Sequence, residues 1–342
     1  MRIYTCSVFG CGRISKRHAE VLSINLKNKF KIISVCDKNI QKAQILGKKL
    51  SVPFFDNFIK MHKYKQADII CILTESGNHS KHIIQLSKYY KNIIVEKPIS
   101  LTVKDAEKAI NICNKNKSRL FVVKQNRFNK AVIQLKKAID EKRFKKIFLI
   151  TTRVRWMRKQ SYYDQDKWRG TEKLDGNVIA NQASHHIDLL LWLNGNVKSV
   201  FAYSKKSLAK IEMDDTVIAI LKFRNGSLGC IEATTAARPL DLEGSISVLG
   251  HKGTVEISGF AVNKIKTWKF ETRNKRDTNI IIQHNENPPN VYGYGHTKFY
   301  ENIYKSLKNV KIKTVDGSEG IKSVKLLEAI NKSIKYKKEI EI

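Results

Sequence analysis

Short hydrophobic runs alternate with longer amphipathic stretches from the start of the chain to about residue 125. The runs are rich in Ile and Val, as buried strands are, and the stretches between them have helical periodicity. Connections of this length join parallel strands through right-handed crossovers, which predicts an open, doubly wound parallel sheet. The predicted strands are residues 3–9, 31–36, 68–73, 92–95 and 120–123.

The pattern changes after residue 126, where several strands follow one another at hairpin spacing. Such strands form antiparallel sheets, so we predict a second, α+β domain with a large, open, mainly antiparallel sheet. Its predicted strands are residues 145–155, 197–203, 216–223, 227–235, 242–249 and 253–257. Helical periodicity is found in residues 126–141, 177–193, 296–308 and 318–335. We therefore expect an α/β protein with two domains, residues 1–125 and 126–342.

The chain of 342 residues has 64 Lys and Arg against 31 Asp and Glu, a formal net charge of +33. This charge suggests a nucleic-acid partner, but the lysines are spread along the chain and no nucleic-acid-binding motif is present. We interpret the charge as a solvated surface. No hydrophobic run reaches the roughly 18 residues of a membrane helix, and the six cysteines lack zinc-ligand spacing. We expect a cytoplasmic protein with no metal site, no membrane contact and no specific nucleic-acid partner.

A glycine-rich turn follows the first predicted strand and leads directly into a helix. Its residues 10–15 read GCGRIS, in which Ser15 stands at the place of the third glycine of a dinucleotide-binding turn. The helix N-terminus would favour a pyrophosphate. Asp37 ends the second strand, where its carboxylate would bind a ribose 2′-hydroxyl and repel a 2′-phosphate, so NAD is predicted rather than NADP. The expected cofactor contacts here are Gly10, Gly12, Arg13, Ile14 and Asp37.

Three further motifs occur in order behind this turn: TESGNH at residues 74–79, EKP at 96–98 and NQASHHID at 181–188. Together they resemble the glucose–fructose oxidoreductase, inositol dehydrogenase and rhizopine catabolism (Gfo/Idh/MocA) family. The resemblance implies an N-terminal Rossmann domain and a C-terminal domain whose open sheet builds dimers or tetramers. It also implies cofactor contacts at Thr74, Glu75, His79, Glu96 and Lys97. The family usually has Pro at the position of Glu75 and Asp at that of Asn181.

A second set of residues is similar to one branch of this family. These are RWMRKQSYYD at 155–164, WRGT at 168–171, LDG at 174–176 and YGYGH at 292–296. The branch oxidises the sugar 3-hydroxyl of UDP-N-acetylglucosaminuronic acid on the way to bacterial surface polysaccharide. The resemblance therefore implies a UDP-sugar substrate.

Oxidation of a secondary alcohol needs a base for the hydroxyl proton and a donor that stabilises the developing alkoxide. Lys97 directly follows the fifth strand, at the sheet edge where ligands bind, and a partly desolvated lysine there has a lowered pKa. His185 is a natural base near neutral pH. On one long helix, Asn181 would share its face and His186 would point elsewhere. We predict that Lys97, His185 and Asn181 are catalytic, with either Lys97 or His185 taking the proton.

Arginines and aromatic residues are concentrated between residues 155 and 169. Guanidinium groups suit phosphate and carboxylate, and aromatic faces suit uracil or sugar rings. The predicted substrate contacts are Lys97, Arg155, Arg158, Tyr162, Tyr163, Trp168, Arg169, Asn181, His185, Tyr292 and Tyr294. Two alternatives remain: the substrate is UDP-N-acetylglucosamine or another sugar or polyol, or the protein is an NAD-binding regulator without catalysis.

Overall fold

The computed structural model of the chain describes residues 2–288 and 292–342. The chain divides into two units: Met1–Val123 with His296–Val324, and Lys124–Gly295 with Lys325–Ile342. The strands are β1 Tyr4–Phe9, β2 Phe30–Cys36, β3 Phe54–Phe55, β4 Ile69–Ile72, β5 Asn92–Val95, β6 Arg119–Val122, β7 Ile147–Arg155, β8 Val197–Lys205, β9 Thr216–Phe223, β10 Leu228–Thr234, β11 Glu243–Gly250, β12 Gly253–Ser258, β13 Lys264–Phe270 and β14 Ile340–Glu341.

Helices connect the strands in both units. They are α1 Arg13–Glu20, α2 Ile40–Leu50, α3 Phe58–Tyr64, α4 His79–Leu86, α5 Val103–Lys115, α6 Lys130–Asp140, α7 Gln160–Asp164, α8 Val178–Asn181, α9 Ser184–Asn194, α10 Ile280–His284, α11 Gly295–Leu307 and α12 Gly317–Tyr336. None of the helices in the described ranges is both long enough and apolar enough to cross a membrane.

The first unit contains a six-stranded parallel sheet in the order β3-β2-β1-β4-β5-β6. The chain order reverses at β1, which has β2 on one side and β4 on the other. In an open α/β sheet, such a reversal creates a crevice at the carboxyl edge, and ligands bind there. The predicted doubly wound sheet is confirmed; β3 has only two residues and was not expected from the pattern.

Residues 296–324 also belong to the first unit. The backbone N–H of Val122 donates to the carbonyl oxygen of Val315, and Tyr300 on α11 packs its ring edge-on against Phe30. The sequence pattern assigned this segment to the domain of residues 126–342. The difference arises because long-range packing of aromatic side chains leaves no signal in local periodicity.

The second unit contains an eight-stranded sheet in the order β13-β12-β11-β7-β10-β9-β8-β14. All pairs are antiparallel except β7 with β10, so the predicted mainly antiparallel sheet is confirmed. Alternate residues of the central strands pack against α6, α9 and α12 in one hydrophobic core. One helix was predicted over residues 177–193. The structure has two, α8 and α9, because the helical conformation is interrupted at Gln182 and Ala183.

Candidate active site

A tight turn joins β1 to α1 at the carboxyl edge of the first sheet. Gly10 has φ +101°, and a Cβ at this position would lie 2.5 Å from the carbonyl carbon of Leu73. Around Gly12, a Cβ would meet no heavy atom of the described residues within 4 Å. The backbone itself therefore requires the first glycine, whereas the second leaves open space before α1. That space fits a pyrophosphate, and Arg13 and Ile14 begin the helix beside it.

Asp37 lies beside this turn with both carboxylate oxygens fixed. One oxygen accepts a hydrogen bond from the backbone N–H of Cys11 at 2.8 Å, and the other accepts from that of Asn39 at 2.8 Å. Each oxygen retains a lone pair that could accept a ribose hydroxyl. Asp37 thus lies directly beside the glycine turn, and its contact with a ribose stays a prediction.

The loop after β4 is tied to the loop after β5 by His79. One ring nitrogen of His79 lies 2.7 Å from the carbonyl oxygen of Pro98, and the other lies 2.9 Å from that of Thr74. Burial lowers the pKa of His79. The Thr74 hydroxyl lies 2.8 Å from Nδ1 of His82. His79, predicted as a cofactor contact, is buried and holds the two loops together.

Glu75 forms an ion pair with Lys38, the residue next to Asp37. Their charged atoms are 2.5 Å apart, and the Asn78 amide also donates to Glu75, at 3.3 Å. Burial alone would raise the pKa of Glu75, but these hydrogen bonds hold it below its usual value. Glu75 is therefore an ionised carboxylate at the sheet edge.

Glu96 and Lys97 directly follow β5. Glu96 is buried, and its Oε2 accepts a hydrogen bond from the backbone N–H of Lys97 at 3.0 Å. Burial would raise the pKa of Glu96, but hydrogen bonds from His18 and His296 hold it well below its usual range. Lys97 itself is half-buried. In this arrangement Glu96 fixes the main chain that carries Lys97.

Three groups of the kind that bind metals lie around Glu96. Ligand atoms of His18, Glu96 and His296 are all within 4.8 Å of one another in the described part of the chain, and all three residues are buried. No metal-ligand spacing marks them in the sequence, because they are far apart along the chain. In the structure Nε2 of His18 lies 2.9 Å from Glu96, and its Nδ1 lies 2.6 Å from the hydroxyl of Tyr300. A hydrogen-bond network thus occupies this cluster.

A residue in the segment that directly follows β6 forms a hydrogen bond with His185. Nε2 of His185 accepts a hydrogen bond from the Gln125 amide at 3.0 Å, so the neutral ring carries its proton on Nδ1. Asp188, one turn later on α9, accepts two hydrogen bonds from Arg127 at 2.7 and 2.8 Å, and Nζ of Lys124 lies 3.4 Å from it. Burial opposes ionisation of Asp188, but Lys124 and Arg127 lower its pKa.

Lys124, Gln125 and Arg127 were not among the predicted site residues. All three are buried, and the run of four polar residues from 124 to 127 directly after a buried strand was the available signal. Polar side chains buried at such a place need partners in the fold, which His185 and Asp188 supply.

Asn181 and His186 are the two residues near His185 in the sequence whose positions were predicted relative to it. Asn181 ends α8 and donates its amide hydrogen to Asp175, so it is not on one continuous helix with His185 as predicted. His186 is buried edge-on against Trp156, and burial lowers its pKa to about 4. His185 is half-buried, so of the two adjacent histidines only His185 reaches the surface of this unit.

Arginine and aromatic side chains stack on one another between β7 and α8. The Arg169 guanidinium lies 4.5 Å from the ring centre of Tyr162 and 4.7 Å from that of Trp168, and it donates to the Tyr162 hydroxyl at 2.7 Å. The Arg158 guanidinium also packs against Tyr162, at 5.4 Å from the centre of the ring. Beside the stack is an open cavity of about 560 Å³, lined by Arg169, Gly170, Thr171, Lys206, Ala209, Lys210, Ile211 and Glu212. Three of these side chains are cationic and one, Glu212, is anionic, so the lining favours an anionic ligand, although Arg169 also lies 3.2 Å from Asp166.

Arg155 is not part of this stack of arginine and aromatic side chains. It is on the face of the large sheet that the helices leave uncovered, where it donates two hydrogen bonds to Glu232 and lies 3.2 Å from Glu243. A guanidinium that already has two carboxylate partners has little left for a substrate. The strand alternation of β7 places residue 155 on this face, opposite to buried Val154.

Three tyrosines of the predicted substrate set have different surroundings. Tyr163 is buried, its hydroxyl lies 2.9 Å from that of Thr235, and burial raises its pKa to about 12. Tyr292 is half-buried, and Tyr294 is exposed with its hydroxyl donating to the carbonyl of Asn287 at 3.4 Å. Tyr163 is therefore part of the packing, whereas Tyr292 and Tyr294 remain accessible.

Comparison with known families identifies both parts of the chain. The description "Oxidoreductase family, NAD-binding Rossmann fold" matches residues 4–124, and "Oxidoreductase family, C-terminal alpha/beta domain" matches residues 136–342. Both descriptions are those of the Gfo/Idh/MocA family that the motifs resemble. Myo-inositol 2-dehydrogenase of Thermotoga maritima is 23% identical and covers 98% of this chain and 97% of its own length.

Two solved structures are similar over the whole chain. The WlbA dehydrogenase from Bordetella pertussis, in complex with NADH and UDP-GlcNAcA, has 36% sequence identity and a TM-score of 0.93, and covers 100% of this chain and 98% of its own. The WlbA dehydrogenase from Chromobacterium violaceum, also in complex with NADH and UDP-GlcNAcA, has 35% identity and a TM-score of 0.94, covering 100% and 96%.

Proposed function

This chain belongs to the Gfo/Idh/MocA oxidoreductase family, and on that premise we propose that it oxidises the sugar 3-hydroxyl of a UDP-N-acetylhexosaminuronate, UDP-GlcNAcA, with NAD. The observation that carries the proposal is the similarity over 100% of the chain, at 36% and 35% identity, to two dehydrogenases solved with NADH and UDP-GlcNAcA. The product is the 3-keto sugar. The reaction belongs to the biosynthesis of bacterial surface polysaccharide.

The cofactor side of the proposal rests on the turn after β1. The open space at Gly12, the helix start at Arg13 and the fixed carboxylate of Asp37 fit a dinucleotide without a 2′-phosphate. Bound NAD would accept the hydride from the sugar carbon. The chain's own residues bind the pyrophosphate, orient the ribose and hold Lys97 at the edge of the sheet.

For the proton, we assign His185 as the base and Lys97 as the group that orients and polarises the hydroxyl. Because Nε2 of His185 carries a lone pair that now accepts from Gln125, a substrate hydroxyl can replace that donor and pass its proton to the same atom. Asp188 lies one turn later on α9, and its negative charge favours the protonated ring that results. We also assign Asn181, which ends α8 four residues before His185, to the sugar.

For the substrate, we assign the stack of Arg158, Tyr162, Trp168 and Arg169, with Tyr292 and Tyr294, as the contacts for the nucleotide and the uronate carboxylate. We expect UDP-GlcNAcA to be oxidised far more efficiently than UDP-N-acetylglucosamine, because the hydroxymethyl group cannot pair with a guanidinium. Similar kcat/KM values for the two sugars would favour the alternative substrate.

Turnover with a panel of UDP-sugars, with and without 2-oxoglutarate as hydride acceptor, tests this function. Arg169→Met should lower kcat/KM for UDP-GlcNAcA, while Arg155→Met, its matched control, should leave it within about twofold because Arg155 pairs with Glu232 and Glu243. If no UDP-sugar is turned over although NAD binds, two candidates remain: a dehydrogenase of another sugar or polyol, and an NAD-binding regulator, for which steeply salt-dependent DNA binding is the expected sign.

We also propose that the uncovered face of the eight-stranded sheet joins copies of this chain into a homo-oligomer. Cross-strand neighbours bring together the side chains of Tyr203 on β8, Ile218 and Ile220 on β9 and Leu228 on β10, all four of which are at least half exposed. A contiguous apolar patch of this kind marks an interface. Sedimentation should give a dimer or tetramer for the wild type and a smaller species for Ile220→Lys. Leu240→Lys, on an exposed loop residue, is the control.

The six cysteines are all free thiols. Together with NAD chemistry, this supports a reducing, cytoplasmic location. Fractionation of cells that produce the protein tests it.

A further inference from the structure

We propose that Glu75 is a specificity-determining residue that excludes NADP by holding Lys38 away from a 2′-phosphate. The inference rests on the proposed binding of NAD and deepens it. In sequence alone, Lys38 works against the preference set by Asp37, because an ammonium next to the ribose site can pair with a 2′-phosphate. The structure shows where that ammonium goes.

The ammonium of Lys38 is bound by a carboxylate from another strand. Nζ of Lys38 lies 2.5 Å from Oε1 of Glu75, which follows β4, while Lys38 follows β2. In the sheet, β2 and β4 lie on the two sides of β1. The ion pair therefore links the two loops that flank the glycine turn.

Of the two side chains, Glu75 is the fixed one. Its side chain is 14% exposed, against 76% for Lys38. Asn78 donates to its second oxygen, and Glu75 lies at the start of the short helical turn Ser76–Asn78. Because the carboxylate is anchored and the lysine is a flexible chain in solvent, the lysine adopts the position that Glu75 dictates.

The local charge follows from this pairing. Asp37, Lys38 and Glu75 together carry one net negative charge, so a 2′-phosphate meets repulsion that a ribose hydroxyl does not. With a neutral residue at position 75, the three-residue sum becomes zero and the Lys38 ammonium is released. Both changes favour a 2′-phosphate, and neither alters the two backbone hydrogen bonds that fix Asp37.

Calorimetric titration with ADP and 2′,5′-ADP isolates the 2′-phosphate and needs no turnover. We expect Glu75→Gln to bind 2′,5′-ADP about tenfold more tightly than the wild type does, with ADP affinity changed less than about twofold. The gain should shrink as salt is added. In Lys38→Met/Glu75→Gln most of the gain should disappear. Glu107→Gln, which removes an exposed carboxylate from α5, controls for net charge.

Three other results would each contradict a different part of the proposal. An unchanged ratio of 2′,5′-ADP to ADP affinity in Glu75→Gln overturns the role of Glu75 while the cofactor proposal stands. A gain that persists in the double variant overturns the route through Lys38. Wild-type protein that binds neither ADP nor NAD contradicts the cofactor proposal and this inference with it. Thermal unfolding of each variant verifies that the compared proteins are folded, and titration with NAD and NADP should repeat the same order.

Discussion

His18 and Glu96 form a buried pair in the first unit, with Nε2 of the histidine 2.9 Å from Oε1 of the carboxylate. The other carboxylate oxygen accepts the backbone N–H of Lys97, and Nδ1 of His18 lies 2.6 Å from the hydroxyl of Tyr300. A continuous hydrogen-bond chain thus runs from α11 to the residue that we assign to the substrate hydroxyl. The position of Lys97 therefore depends on Glu96 and, through it, on buried side chains of α1 and α11.

Replacing the carboxylate tests this dependence. Glu96→Gln should lower the free energy of unfolding at pH 7 by about 1–3 kcal/mol, because buried hydrogen-bonded groups lose charged partners. The folded pKa of Glu96 lies below its usual value, so its stabilisation is present above about pH 4.5 and is lost as pH falls through the folded pKa. Denaturant unfolding from pH 7 to pH 3 should show a shallower acid loss in the variant. Equal slopes would contradict an ionised Glu96 in the folded protein.

His186 should make the second unit sensitive to mild acid. Its folded pKa is about 4 because of burial, against an ordinary value of 6.5. A depressed histidine pKa gives stability that is complete above pH 6.5 and is lost as pH falls towards 4, by up to about 3 kcal/mol. His186→Gln should therefore flatten the unfolding free energy over this range. His251→Gln, on an exposed turn, should not. A variant with the wild-type slope would show that His186 protonates freely in the fold.

Substitution of Ala for the two glycines of the first turn should affect different properties: stability at Gly10 and NAD binding at Gly12. Gly10→Ala places a methyl group 2.5 Å from Leu73 at φ +101°, so we expect a loss of about 2–4 kcal/mol in unfolding free energy. Gly12→Ala meets no described atom and should change stability by less than about 0.5 kcal/mol. Its methyl group fills the space assigned to the pyrophosphate, so NAD should bind at least about tenfold more weakly. Unchanged NAD affinity in Gly12→Ala would argue against that assignment.

Lys97 and His185 should each matter for kcat while NAD still binds. Lys97→Met and His185→Asn are expected to lower kcat by about 10²–10⁴, the usual size of a general-base contribution. Their double variant should be much less than multiplicatively worse, because groups that act on one proton work as a unit. His185→Asn should also remove the acid limb of the kcat/KM profile. Lys91→Met, an exposed lysine before β5, is the control. Near-wild-type kcat in His185→Asn would make Lys97 the base.

The sequence was sufficient where a local pattern has one structural meaning. The buried strands of the first unit are continuous hydrophobic runs, and a glycine that needs a positive φ stands at Gly10, so the sheet and its turn could be predicted. The position of Asp37 directly after β2 could be predicted in the same way, whereas its hydrogen bond from the backbone N–H of Cys11 could not. Family resemblance added Lys97 and His185, whose types alone would not distinguish them from other lysines and histidines.

What could not be predicted depends on contacts between distant residues. Gln125 and Arg127 support His185 and Asp188 across about sixty positions, and no local motif marks them. The break between α8 and α9 separates Asn181 from the helix of His185, although periodicity continues through both. Arg155 is a different case, since the alternation along β7 is readable from the sequence and places this residue on the uncovered face.

The return of residues 296–324 to the first unit has a consequence for synthesis of the protein. Tyr4 donates its hydroxyl hydrogen to the carbonyl of Leu307, 303 positions later, and Tyr304 packs edge-on against both Tyr4 and Phe30. A ribosome that has released only the first 123 residues has therefore made a sheet with one hydrophobic surface still uncovered. The nucleotide-binding unit can therefore be completed only after strands β7 to β13 of the other unit have been synthesised.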